Sequence, residues 1–160
     1  MNLFGVMETS GSAMLAERMR AEVVAANMAN AETTRTASGA PYRRQEVVFA
    51  ADRGDPGFLN SMAAASGSSF GPAPLAPLGA TAVAPGVHVA EVVTDPSPPL
   101  RRYDPGHPDA DANGYVSYPD INPVTEMADL MGATRAYGLN GSAVQAEKSM
   151  ITSALQIANS

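Results

Sequence analysis

The sequence predicts an α+β fold in which two long terminal helices frame a small β-rich middle, and three observations carry that prediction. Residues 3–30 and 124–159 are Ala-rich runs without proline and read as helices. The stretch between them is punctuated by proline and glycine and holds short segments of strand type. Neither terminal run confines its apolar residues to one face, so each helix needs partners on several sides. That pattern fits a subunit that completes its packing inside an assembly better than an enzyme built around a pocket.

The first helix is expected over residues 3–30. Phe4, Met7, Gly11, Met14, Ala21, Ala25 and Met28 follow a three/four spacing interrupted by Arg18, and Leu15, Met19, Val23 and Ala26 make a second line. About 28 residues reach roughly 40 Å, more than a small domain needs. The run closes at Asn27-Met28-Ala29-Asn30, where asparagine suits a helix end. A turn at Gly39-Ala40-Pro41 then leads into a strand ending near Phe49. Residues 51–85 are rich in Ala, Gly, Ser and Pro and almost free of charge after Asp55, the composition of a flexible insert. Residues 86–94 alternate as a second strand, stopped by Pro96, Pro98 and Pro99. Asp104-Pro105-Gly106 and Asn113-Gly114 are turn signals, and the latter is expected to close a hairpin between residues 108–112 and 115–118. The last helix starts at Pro123, a favourable first-turn residue, with Asn122 and Thr125 as alternative caps. Its line of Met127, Leu130, Thr134, Tyr137, Gly141, Val144, Lys148, Ile151, Leu155 and Ala158 is near-heptad and predicts coiled-coil packing. Gly132, Gly138 and Gly141 lie inside it, each at about 0.8–1 kcal/mol relative to Ala. The helix is therefore expected to be weak until packed. The chain divides into an N-terminal helical part (1–35), a middle region (36–121) and a C-terminal helical part (122–160).

Composition narrows the function. The chain has 160 residues, 45% hydrophobic and 6% aromatic, so its core is made of small side chains. A net charge of −6 argues against a nucleic-acid binder, which needs a basic footprint. The absence of cysteine removes disulfides, thiolate metal sites and thiol nucleophiles. The first cation is Arg18, so the start lacks the charged and apolar regions of a cleaved secretory signal. No stretch reaches the length of a membrane span.

Several of these segments together resemble one family. Gly11-Ser12-Ala13 and Asn27-Met28-Ala29-Asn30-Ala31 are similar to the start of flagellar axial proteins. Pro41-Tyr42-Arg43, Val47-Val48-Phe49 and the run from Tyr103-Asp104-Pro105-Gly106 to Gly114-Tyr115-Val116 resemble the proximal-rod members of that family. Pro119-Asp120-Ile121-Asn122, Glu126-Met127, Arg135-Ala136-Tyr137 and Lys148-Ser149-Met150 agree. The resemblance covers residues 3–50 and 86–160. It implies a structural subunit of the flagellar basal-body rod, exported by the flagellar type III apparatus without a cleaved signal. It further implies terminal helices paired antiparallel in the wall of a periplasmic drive shaft around the export channel. The partners implied are other copies, neighbouring rod proteins and the export apparatus. Subunit contacts are expected at Phe4, Met7, Met14, Leu15, Met19, Asn27, Asn30, Met127, Leu130, Tyr137, Val144, Ile151 and Leu155.

The competing chemistry is thin. Asp109, Asp111, Asn113 and Asp120 copy the spacing of a calcium loop, which makes a calcium-binding module the alternative reading. Against it, the last ligand is Asp rather than the longer Glu, and Pro105, Pro108 and Pro119 exclude flanking helices. A tight turn with solvated carboxylates is the plainer reading. His88 and His107 are far apart and lack partners at metal spacing. Ser10, Ser12 and Ser149 have no neighbouring base, so neither an enzyme nor a cofactor site is read.

Overall fold

The computed structural model describes residues 3–51 and 86–158, the side chains of Leu3 and Phe4 excepted. The chain runs α1 (Leu3–Ala29), β1 (Gln45–Ala51), β2 (Val87–Thr94), β3 (Leu100–Tyr103), β4 (Tyr115–Tyr118) and α2 (Pro123–Ala158). The α+β expectation holds, with two terminal helices around antiparallel strand pairs. The expected flexible insert lies, apart from Ala51 at the end of β1, outside the described residues.

Helix α1 ends where the asparagines predict. The Asn30 amide N–H donates to Ala26 O at 3.1 Å, and its side-chain Nδ2 donates to the same carbonyl at 2.9 Å. Helix α2 is capped by Asn122, not Thr125: Asn122 Oδ1 accepts the Val124 N–H at 3.0 Å, and its carbonyl accepts the Glu126 N–H at 3.1 Å. Pro123, with no N–H to satisfy, takes the first helical position.

The helices pack antiparallel. Asn27 meets Glu126, Arg20 meets Asp129, and Met14 lies beside Gly141. With 27 and 36 residues they measure about 40 and 54 Å. By this register the last two turns of α2 extend past the described start of α1. Among the described residues the buried apolar ones are few and mostly small: Ala16, Val23 and Val24 on α1, Ala133 on α2, and Val116 and Ile121 beyond.

Among its described residues, the middle region forms two separate two-stranded ribbons. β1 and β2 pair antiparallel with a bulge between Val48 and Phe49, and this ribbon packs on α1. Ser12 pins it there, its Oγ accepting the Val87 N–H at 3.1 Å. β3 and β4 pair from Leu100↔Tyr118 to Tyr103↔Tyr115. This corrects the expected hairpin: β4 pairs with Leu100–Tyr103, and residues 104–114 form the connecting loop. Asn113-Gly114 still turns the chain, Gly114 adopting φ 78°, but a two-residue loop would require residues 108–112 to be extended. They are instead held by turns such as His107 N–H to Asp104 O and Ala110 N–H to His107 O.

Candidate assembly surface

Three segments far apart in sequence meet in one buried polar group. Glu126, in the first turn of α2, is fully buried. Its Oε1 accepts the Arg44 Nε–H at 2.6 Å and its Oε2 accepts from Asn27 Nδ2 at 3.1 Å. Asn27, 1% exposed, also donates to Gln45 O at 2.8 Å. Its Oδ1 accepts the Gln45 N–H at 2.9 Å and the Tyr42 hydroxyl at 3.1 Å. Both amide protons and both acceptor positions are thus used, which leaves nothing for a neighbour. Arg44 pairs further with Glu46 and with Asp129, which Arg20 reaches at 3.1 Å. The hydrogen bond to Glu126 raises the Arg44 pKa above its ordinary value. Burial, then the Glu126 charge, raises that of Tyr42.

The group fixes the end of α1, the start of β1 and the start of α2 against one another. Asn27, expected at a subunit contact, is therefore an internal residue. Sequence spacing alone did not join Arg44 or Glu126 to it. The signal was present as an acid in the first turn of α2, and as two consecutive arginines before a strand.

The opposite end of the seam is built differently. Glu147 is 4% exposed, and its Oε2 has no hydrogen-bond partner. Glu17, midway along α1, also has a buried Oε2 without a hydrogen bond, but it is ion-paired with Arg20 at 3.9 Å. One end of the helix pair is satisfied, and toward the other Glu147 carries a buried oxygen without a partner.

The remaining expected contact residues divide by exposure. Met7, Met14, Leu130, Val144 and Ile151 are half-buried, and so is Asn30 at the end of α1. Leu15, Met19, Met127, Tyr137 and Leu155 are exposed, Leu15 by 71% of its surface. Met131, Leu139 and Met150, which the three/four lines omitted, are exposed as well. The two helices thus present large apolar side chains to the outside. Phe4 lies outside the described side chains. Among the described residues, no helix is long and apolar enough to cross a membrane.

The loop that copies a calcium site spends its carboxylates on protein donors. Asp109 accepts from Thr34 at 2.8 Å and from Arg35 at 3.4 Å, which bind the 31–42 loop to the hairpin. Asp111 Oδ1 accepts the Asn113 and Tyr115 N–H groups at 2.8 and 2.9 Å, and Oδ2 accepts from Arg101 at 2.5 Å. These bonds lower both pKa values, the Thr34 hydroxyl acting first at Asp109 and the Tyr115 amide at Asp111. Asp120 is exposed beyond β4. Among the described residues no three acidic or histidine side chains converge on a point. The calcium reading is therefore not supported. His107 accepts the Asp109 N–H at its Nδ1 and meets the Tyr118 ring edge to face, while His88 lies on the other ribbon.

Comparison with known proteins agrees with this architecture. Residues 7–35 match the family described as flagella basal body rod protein, and residues 112–157 match the flagellar basal body rod FlgEFG protein C-terminal family. The flagellar basal-body rod protein FlgC of Borreliella burgdorferi is 37% identical over 161 residues, covering 98% of both chains. Its Bacillus subtilis counterpart is 36% identical, covering 98% of this chain and 99% of the relative. The Salmonella typhimurium protein is 35% identical and covers 98% of both. The stretches matched by the two family models contain Asn27 near the end of α1 and Glu126 at the start of α2. On this identity and coverage, the chain belongs to the FlgC family of flagellar basal-body rod proteins.

Proposed function

We propose that this chain is a structural subunit of the proximal rod, built into the periplasmic drive shaft through its two terminal helices. The observation that carries this reading is the exposed apolar surface on both helices of a pair already locked at its inner end. Leu15, Met19, Met127, Tyr137 and Leu155 have no core of their own to enter, so neighbouring copies and related rod proteins are the partners that bury them. Coiled-coil packing between helices of successive subunits supplies many contacts for transmitting torque. The helices face the export channel and the two ribbons face outward, which keeps the three-part division of the chain. Delivery is through the flagellar type III apparatus, without removal of a leader. The role is mechanical, not catalytic.

The test is complementation of a non-motile strain lacking its own copy of this gene. The chain should restore swimming and co-purify with basal bodies, and Leu155→Pro should be expressed without doing either. Swimming with Leu155→Pro equal to wild type would overturn the helix-contact reading.

A further inference from the structure

The dipeptide Asn-Gly occurs twice in the chain, at Asn113-Gly114 and Asn140-Gly141. In this pairing a main-chain amide reaches the preceding side-chain carboxamide most easily, because glycine has no Cβ to keep them apart. The fold places the two copies in opposite environments. Asn113 is exposed in the loop joining β3 to β4, and among the described residues its carboxamide makes no hydrogen bond. The Gly114 N–H donates to Asp111 O at 2.9 Å, a turn bond outside the strands. Such turns open locally at little cost. Asn140 sits within α2, where its Nδ2 donates to Ala136 O at 2.9 Å. Bringing Gly141 N onto that carboxamide breaks this bond and unwinds a turn inside a 36-residue helix.

The loop is also where a change in the main chain has most effect. Asp111 Oδ1 accepts the Asn113 and Tyr115 N–H groups at 2.8 and 2.9 Å, so its two donors lie on either side of the 113–114 linkage. Gly114 O accepts the Asp104 N–H at 2.9 Å and Tyr115 O accepts the Asp111 N–H at 2.8 Å. Gly114 itself is packed against the Tyr103 ring, across from Tyr115 at the loop end of the ribbon. A longer linkage between residues 113 and 114 cannot keep these bonds together.

We propose that Asn113-Gly114 is a site of spontaneous chemical modification, in which conversion of Asn113 to isoaspartate unfastens the β3–β4 ribbon, and that the helix spares Asn140-Gly141. The Gly114 nitrogen gives up its proton to solvent base and attacks Asn113 Cγ. The new N–Cγ bond closes a succinimide ring, and the carboxamide nitrogen leaves as ammonia. Water then opens the ring. Addition at Cγ breaks the new bond and leaves ordinary aspartate. Addition at the main-chain carbonyl breaks the original peptide bond and leaves isoaspartate, with the chain routed through Cβ and Cγ. Nothing is oxidised or reduced, and water is the sole co-reactant. The main chain gains a methylene and the loop a negative charge beside Asp111.

The experiment ages the purified full chain in mildly alkaline buffer and maps both sites by mass spectrometry after digestion. Labelling with an isoaspartate methyltransferase separates the isomer from aspartate. Asn113 should convert about tenfold or more faster than Asn140 in the folded chain, and at a similar rate in denaturant. Amides of β3 and β4 should lose exchange protection in the isoaspartate form. Fresh Asn113→Asp, which carries the charge on an unaltered main chain, should keep it. Asn113→Gln should age without label at this site and with the ribbon intact. Equal conversion at Asn113 and Asn140 in the folded chain overturns the proposal. So does an isoaspartate form with full protection of the ribbon, and so does loss of protection in fresh Asn113→Asp.

Discussion

Asn27 and Glu126 stand 99 residues apart in sequence and are hydrogen-bonded at 3.1 Å in a site closed to solvent. Each is a polar residue that its helix turns toward the other at the seam's inner end, beside the Arg20–Asp129 pair. The bond would be costly to bury alone, but Arg44, Gln45 and Tyr42 complete the valences of both partners. The arrangement is specific: slipping α2 by one residue removes both bonds to Glu126, and slipping α1 removes all those of Asn27.

Replacing Glu126 by Leu should therefore be severe. The change leaves Arg44 and one Asn27 amide proton without their acceptor in a site where water cannot substitute fully. Breaking a buried pair from one side costs about 3–5 kcal/mol. Arg44 keeps Glu46 and Asp129, so the loss should lie near the lower figure. Equilibrium urea unfolding of the purified subunit measures it, and a loss under about 1 kcal/mol would show that the group is not a structural centre.

Glu147→Leu should act in the opposite direction. Here the buried carboxylate has an oxygen without a partner and faces no cation on the first half of α1, whose described residues before Arg18 include none. Removing it should raise stability by about 1–3 kcal/mol, read as a higher midpoint in thermal unfolding. A fall in the midpoint would mean that the seam satisfies this oxygen after all.

The contrast between these two acids also marks what the sequence disclosed. Both helices, their ends and strands β1 and β2 were legible, because caps, prolines and alternation act locally. The register of the helix seam was not. Its most buried positions on α2 are Glu126, Ala133 and Glu147, polar or small residues that a line of large apolar side chains does not pick out. Strand β3 was missed because Leu100-Arg101-Arg102-Tyr103 has no buried face and so no alternation to detect. Its pairing with β4 across an eleven-residue loop rests on Asp111 gathering the Asn113 and Tyr115 amides, a contact that spacing suggested for a metal instead.

Gly114→Ala should loosen that loop more than Gly39→Ala loosens the one before β1. Both glycines have positive φ, 78° and 80°. A Cβ at Gly39 meets nothing within 4 Å, whereas one at Gly114 would lie 2.9 Å from the Tyr103 ring and 3.3 Å from Pro105. The conformational cost alone is about 1 kcal/mol, and the clash should bring the Gly114 variant to about 2 kcal/mol or more. Amide exchange across β3 and β4 distinguishes the two.

Acid should open the same loop. Hydrogen bonds hold the Asp109 and Asp111 carboxyls below their ordinary values in the folded chain. A depressed pKa contributes stability that is fully present above the unfolded value, about 3.9, and is lost as pH falls through the folded one. The β3–β4 amides should keep their protection from neutral pH down to about 5 and lose it progressively below about 4. Carboxyl carbon titration by NMR checks both groups, and loss of protection already near neutrality would refute the assignment.

Leu139→Asp tests the outer face of the helix pair without touching its seam. Leu139 is 66% exposed, so the isolated subunit loses little by the change, and surface substitutions of this kind fall within about 0.5 kcal/mol. If neighbouring subunits cover this face, a carboxylate there must be desolvated on assembly without a partner, at a cost of several kcal/mol per contact. The expected result is a normally folded, normally expressed subunit that is absent from basal bodies and leaves cells non-motile. Leu139→Met, similar in volume and still apolar, should assemble as wild type. Normal motility with Leu139→Asp would place this face toward solvent in the rod and transfer the helix contacts to the Leu15 and Met19 side of α1.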